Sequence, residues 1–146
     1  MSAVENFLTQ HEEQEVVEAI RTAEKNTSGE IRVHIESSCG KEDVLQRAKE
    51  VFHLLKMDNT KEENGVLIYV AVNDHTFAIY GDKGIDKVVP HDFWNETKEI
   101  IQYHFKHKKF KQGLVNGILK AGKQLQSHFP HNHNDDNELP DEISKG

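Results

Sequence analysis

Five carboxylates in this chain fall where loops meet the ends of strands or helices, and their types and spacing suit a hard divalent cation. Asp82 and Asp86 flank Gly84 in the run that opens at Gly81. Asp74 follows Asn73 in a turn signal, Asp92 precedes an amphipathic stretch, and Glu30 follows Gly29 at the start of an alternating segment. Ca2+ and Mg2+ take oxygen ligands, mostly carboxylates and carbonyls from flexible loops. Glycine lets a backbone offer its carbonyls at close range. The loop from Gly81 to Asp92 supplies both kinds of ligand. Aspartate is also ordinary turn and cap chemistry, so Asp74 taken singly reads as a turn former and Asp92 as a helix cap. The Asp-x-Asp-x-Asp-Gly spacing of an EF-hand is absent.

Other chemistry is weakly encoded. There is no Gly-x-Ser-x-Gly elbow for a nucleophilic serine. There is no Walker loop, and Gly81-Asp82-Lys83-Gly84 is too short and too acidic to cradle a phosphate unaided. Lys83 and Lys87 are the nearby cations for such a group. Cys39 is the single cysteine. It has only Lys41 close by to favour a thiolate, so it reads as incidental. His104 and His107, three apart on one helix, are spaced to share a face, but the simpler reading sets His104 at the core margin and His107 in solvent. His131-x-His133 with Asp135 and Asp136 resembles a chelating string, but nothing visible fixes the rings, and a hydrated tail is the simpler reading.

Composition narrows the partners. The 146 residues carry a net charge of -7, with 29% charged and 36% hydrophobic residues. Acidic balance disfavours a nucleic-acid binder, which needs clustered Lys and Arg, and docking on an anionic membrane. One cysteine excludes an internal disulfide framework and a Cys-rich zinc site. The N-terminus shows no secretory pattern, and the longest apolar run, Val66 to Val72, is too short to span a bilayer. A reducing, cytoplasmic location is the expectation.

These residues need elements to position them. Thr9-x-x-Glu12 is a capping box, and Val16, Val17, Ile20 and Ala23 follow on one helical face. Glu30 to Glu36 alternates strictly, which predicts a half-exposed strand towards a sheet edge. A helix over 43–56 would turn Leu45, Ala48, Val51, Phe52 and Leu55 inward. Val66 to Val72 is apolar at every position, so helices must cover both faces of the sheet. The Asn73-Asp74 turn makes Thr76 to Tyr80 a hairpin partner. Two more helices follow, one from about Asp92 and one over 111–128. Gly113, Gly117 and Ala121 recur on the last helix, which implies close packing against another backbone. The domain spans 1–128. An acidic, His-rich tail over 129–146 reads as loosely held, though Leu139, Pro140 and Ile143 are able to dock it.

Asn64-Gly-Val-Leu-Ile-Tyr-Val-Ala-Val72, then Phe77-Ala-Ile-Tyr80, then Gly84-Ile85-Asp86 leading to Pro90 and Asp92, resembles the TPM domain family. Ser28-Gly29-Glu30-Ile31 and Phe110-x-x-Gly113-Leu114-x-x-Gly117 extend the resemblance to roughly Val16–Leu125. Members often carry Gly-Tyr-Gly-Leu-Glu where this chain has Asp82-Lys83-Gly84-Ile85-Asp86, and His91 separates the Pro and the Asp here. The resemblance implies an α/β fold, a three-layer αβα sandwich with a mixed central sheet. It also implies an acidic surface site for Ca2+ or a similar cation. One branch of the family is described as a thylakoid-lumen acid phosphatase and another as an acetylcholine-receptor accessory subunit. Many members are exported or membrane-anchored; this chain looks like a stand-alone soluble variant.

Two functions are therefore expected in competition. The first is a binding module that takes a divalent cation through Asp82 and Asp86, with Glu30, Asp74 or Asp92, and presents ordered loops to a protein partner. The alternative is a metal-assisted acid phosphatase, with a carboxylate or histidine as general acid. A metal-free protein-binding domain is the plainest version of the first.

Overall fold

The computed structural model describes residues 2–131 and 139–146. In chain order the elements are α1 (Ala3–Phe7), α2 (Gln10–Glu24), β1 (Glu30–Glu36), α3 (Val44–Leu54), β2 (Gly65–Ala71), β3 (Thr76–Gly81), α4 (Lys83–Asp86), α5 (Asn95–Lys106), α6 (Phe110–Gln126) and β4 (Ser144–Lys145). The capping box forms as its spacing predicts. The Thr9 hydroxyl accepts from the Glu12 amide at 3.1 Å, and the Glu12 carboxylate accepts from the Thr9 amide at 2.9 Å.

The sheet order is β3-β2-β1-β4. β1 runs parallel to β2 and to β4, and β3 is antiparallel to β2. Every residue of β2 is buried. Val66, Ile68 and Val70 join Ile31, Val33 and Ile35 in a core shared with α2, α5 and α6. Leu67, Tyr69 and Ala71 face the other way, onto Ala48, Val51 and Phe52 of α3. This is the three-layer αβα arrangement. Gly117 explains the small-residue stripe: a Cβ there would stand 2.6 Å from Ile101 Cγ1, so α6 packs on α5 at a distance that excludes a side chain. Among the described residues no helix is long and apolar enough to cross a membrane.

Four expectations change. β1 lies towards an edge as expected, with the two-residue β4 outside it, but it is not half-exposed: Glu30, His34 and Glu36 are buried, because α3 and the C-terminal segment cover that face. Leu45 does not turn inward and is 49% exposed. The helix expected from Asp92 begins at Asn95 instead, after a turn in which the Asp92 carbonyl accepts from the Asn95 amide. The tail is not loose where it is described. Phe129 and Leu139 are buried, Ser144 and Lys145 pair with β1 as β4, and the Gly146 amide donates to the Ile35 carbonyl at 2.9 Å. The chelating string at His133, Asp135 and Asp136 lies outside the described residues.

Carboxyl groups hold this tail. The Leu139 amide donates to Glu30 Oε1 at 2.6 Å, and Arg21 meets Asp141 at 3.6 Å. Burial, then the hydrogen bond with Asp141, pushes the Glu24 carboxyl up to about 9. A raised acid favours the fold below its unfolded value, and that contribution is lost as pH rises through the folded value. Docking of residues 139–146 should therefore be tighter at pH 6 than at pH 9. Amide exchange at Lys145 and Gly146 should report this, and Glu24→Gln should flatten the dependence. Exchange in the parent chain that is insensitive to pH beyond the intrinsic rate would exclude a Glu24 latch.

Candidate functional site

Asp82 is the N-cap of α4, and its Oδ1 accepts from the Lys83 amide at 2.8 Å. Its amide donates to the Gly65 carbonyl at 2.9 Å, so the residue is pinned at the end of the β2–β3 ladder. Asp82 is 5% exposed. Its second oxygen, Oδ2, is buried and has no hydrogen-bond partner among the described residues. Burial raises the carboxyl, and repulsion from Glu63 and Asp58 raises it further. An ionised carboxylate that is desolvated, half-satisfied and repelled is a costly group unless a cation or a proton joins it.

The residues around it come from the loop over 58–64, between α3 and β2. A Cβ at Gly84 would lie 2.2 Å from the Glu62 carbonyl oxygen and 2.5 Å from that of Glu63. Gly84 is thus the residue that lets α4 sit against the 58–64 loop, bringing Glu63 and Asp58 into the field of Asp82. Lys83 pairs with Glu63 at 2.9 Å. Three carboxylates in the seven residues 58–64 are the signal that would have pointed to this loop.

The structure brings together only part of the expected set. Asp82 and Asp86 both lie near the Tyr80 phenol, which burial and then these two carboxylates push up. Asp86 is exposed, and desolvation raises its carboxyl. Glu30 is at the same end of the sheet, but β2 lies between β1 and β3, so about 10 Å of backbone separates it from Asp82. Its Oε1 is engaged with the Leu139 amide. Asp74 is at the opposite end. Asp74 precedes β3 and Asp82 follows it, so the length of the strand sets them about 20 Å apart, and Asp74 cannot share an ion with Asp82. It serves the β1–α3 loop instead, accepting from Ser38 Oγ at 2.9 Å and from the Cys39 amide at 2.8 Å. These bonds hold the Asp74 carboxyl down, and its nearness pushes the Cys39 thiol up, away from a nucleophilic state. Asp92 is exposed in the turn before α5. Among the described residues no three His, Cys, Asp or Glu side chains form a group able to hold a metal ion. Any ion at Asp82 would take its remaining ligands from carbonyls and water.

A second polar cluster escaped the sequence reading, because the alternation of β1 looked like a solvated face. Arg47 grips Glu36 with two bonds of 2.8 and 3.1 Å. The Tyr69 hydroxyl donates to the same carboxylate, and His34 Nε2 lies 3.2 Å from it. Burial pushes Glu36 up, but Arg47, Tyr69 and His34 outweigh it and hold the carboxyl at about 2. His34 Nδ1 bonds Ser144 Oγ at 2.8 Å, and burial lowers the imidazole. Each of these groups is saturated by its neighbours, which is the pattern of a structural network.

Comparison with known proteins places this geometry. The TPM domain model matches residues 2–124. The BA42 protein of the psychrophilic bacterium Bizionia argentinensis, solved by NMR, is 62% identical with a TM-score of 0.92, and all of each chain is covered. The N-terminal domain of a P. gingivalis protein shares the fold at 18% identity and a TM-score of 0.70, covering 87% of this chain and 83% of that one. The N-terminal domain of the Corynebacterium glutamicum cg2496 protein does so at 9% and 0.63, covering 95% and 80%. No curated protein matches.

Two outcomes test the geometry at Asp82. Gly84→Ala should cost about 2–3 kcal/mol in urea unfolding, because backbone and not a side chain stands in the way. In the absence of divalent ions, stability should fall as pH rises from below the unfolded aspartate value through the raised value of Asp82. Asp82→Asn should remove that component of the profile. Parallel profiles for the two chains would mean that the carboxylate carries no penalty.

Proposed function

The chain belongs to the TPM domain family, and from that premise we propose that it is a binding module that takes one divalent cation, Ca2+ or Mg2+, at Asp82. The observation that carries this reading is the buried, unpartnered Oδ2 of Asp82. A dication there would replace the missing hydrogen bond and relieve the repulsion from Glu63 and Asp58. Hard cations accept a sparse protein shell, since Mg2+ in particular keeps several waters and uses one or two carboxylates. Asp86 and the carbonyls of the 58–64 loop are the further oxygens in the neighbourhood. With so few charged ligands, affinity belongs in the weak range, about 0.1–1 mM.

The chemistry of such a site is ordering. α4 follows β3 directly, and the 58–64 loop enters β2. A cation between them would tie two connections at one end of the sheet and present a fixed surface to a protein partner. A phosphatase needs more: a clamp for the phosphoryl group as well as the metal. Lys83, the nearest cation, is already paired with Glu63, so no observation favours the enzymatic reading over the binding one. Cytoplasmic residence stays part of the proposal.

Calcium titration tests it. Millimolar Ca2+ should raise the melting temperature by several degrees, in line with stabilisation by mass action. Amide shifts should concentrate on Asp58–Gly65 and Gly81–Asp86, and Asp82→Asn should abolish both effects. Shifts that map instead to Glu36, Asp74 or the tail would refute the placement.

A further inference from the structure

The two edges of the sheet are treated differently. The outer edge of β1 is paired at His34 and Ile35 with the chain's own β4. The outer edge of β3 is not covered by any strand among the described residues. The register sets which groups point out. The Asp82 amide donates inward to Gly65, and side-by-side partners alternate along an antiparallel ladder. Tyr80 and Ala78 therefore bond β2, while the N–H and C=O of Phe77 and Ile79 point away from the sheet.

Natural edges are usually defended by a charge, a proline or a bulge. β3 reads Thr-Phe-Ala-Ile-Tyr-Gly, with none of these, and its pairing with β2 is uninterrupted from Thr76 to Gly81. Instead the edge is recessed: Ala78 is 6% and Ile79 4% exposed. It forms the floor of a groove of about 970 Å³. Val44 and Leu45 of α3 wall it on one side, Lys98 and Gln102 of α5 on the other. Leu45, the apolar residue that fails to turn inward, is exposed here. Lys98, Lys106 and Lys108 also line the groove, and no carboxylate does. None of the three is paired with an acid among the described residues. In a chain of net charge -7 this is a local reversal of sign.

We propose that the open edge of β3 is a docking groove for an extended, acidic segment of a partner protein, which adds to the sheet as its next strand. Outward N–H and C=O groups at alternate residues need matching acceptors and donors at strand spacing, and an extended peptide has them. An acyl chain would fill the apolar walls but leave those groups unsatisfied. A second copy of this chain is disfavoured on two grounds. Two recessed edges cannot reach each other past their own walls, and pairing them would set lysine against lysine. The groove is separate from Asp82 Oδ2, so the inference stands whether or not a cation binds.

The experiment selects a random peptide library on the 146-residue chain, then measures the enriched sequences as synthetic peptides. Enriched peptides should alternate apolar residues with Asp or Glu and should shift the Phe77 and Ile79 amides most. Lys98→Glu with Lys106→Glu should weaken binding about tenfold without changing the circular dichroism, since both lysines are exposed. N-methylation of the peptide residues that face β3 should abolish binding, and methylation of the alternate set should not. The proposal fails if no acidic sequence is enriched, if the shifts map away from β3, or if the methylation register is immaterial. It fails equally if dodecanoate occupies the groove while no peptide does, or if the chain dimerises through these amides.

Discussion

β2 is apolar on both of its faces, and the rest of the molecule is arranged around the need to cover it twice. A strand with one dry face can leave the other to water; a strand with two cannot. The covering on one side is α2, α5 and α6, which is why Gly117 and Gly122 must let helices approach one another and α2 so closely. On the other side α3 is the only helix among the described residues, and one helix is narrower than the sheet. Leu139, buried beside the α3 cluster, fills part of the remainder. The C-terminal segment is thus recruited by the same constraint, and its pairing with β1 follows.

Once the tail lies along β1, the polar alternation of that strand acquires a different meaning. Glu30, His34 and Glu36 become buried partners and not a wet face. A buried carboxylate is tolerated when hydrogen bonds favour its charged form, and Glu36 shows this with Arg47 and Tyr69. Glu24 shows the opposite solution, in which the proton is kept. The two carboxyls meet burial in opposite ways: hydrogen bonds from Arg47, Tyr69 and His34 keep Glu36 ionised, while burial and then the Asp141 carboxyl keep the proton on Glu24.

Much of the fold was legible because it rests on local rules. The capping box at Thr9, the seven apolar residues of β2 and the short hairpin at Asn73-Asp74 each specify an element without outside help. The layer count followed from β2 alone. What was not legible depended on long-range contacts. Nothing near β1 in sequence says that residues more than a hundred positions later will cover it. The candidate site was half legible for a similar reason. Asp82 was visible beside Gly84, but the assumption that carboxylates gather at one rim failed because Asp74 precedes β3 and Asp82 follows it. The length of the strand sets the two at opposite ends of the sheet. Asp58 and Glu63 were passed over because a polar loop has no period, and only the close approach at Gly84 shows which loop it meets.

The position of Asp82 also explains why its charge matters more than that of its neighbours. One oxygen is committed to capping α4, and the residue's amide is committed to the β2 ladder, so the side chain cannot swing out to water without giving up the cap. Asp86 and Asp92 are exposed and make no such commitment. At Asp82 a proton and a dication would compete for the same atom. Occupancy would then be coupled to pH by that one oxygen, with the cation favoured as the proton leaves. β3 connects this end of the sheet to the lysine-lined edge, yet the groups involved are distinct: a carboxylate oxygen at its finish, and the outward amides of Phe77 and Ile79 along its length. A cation that fixes the end of β3 would stiffen the strand on which the edge depends, without touching the atoms that recognise a partner.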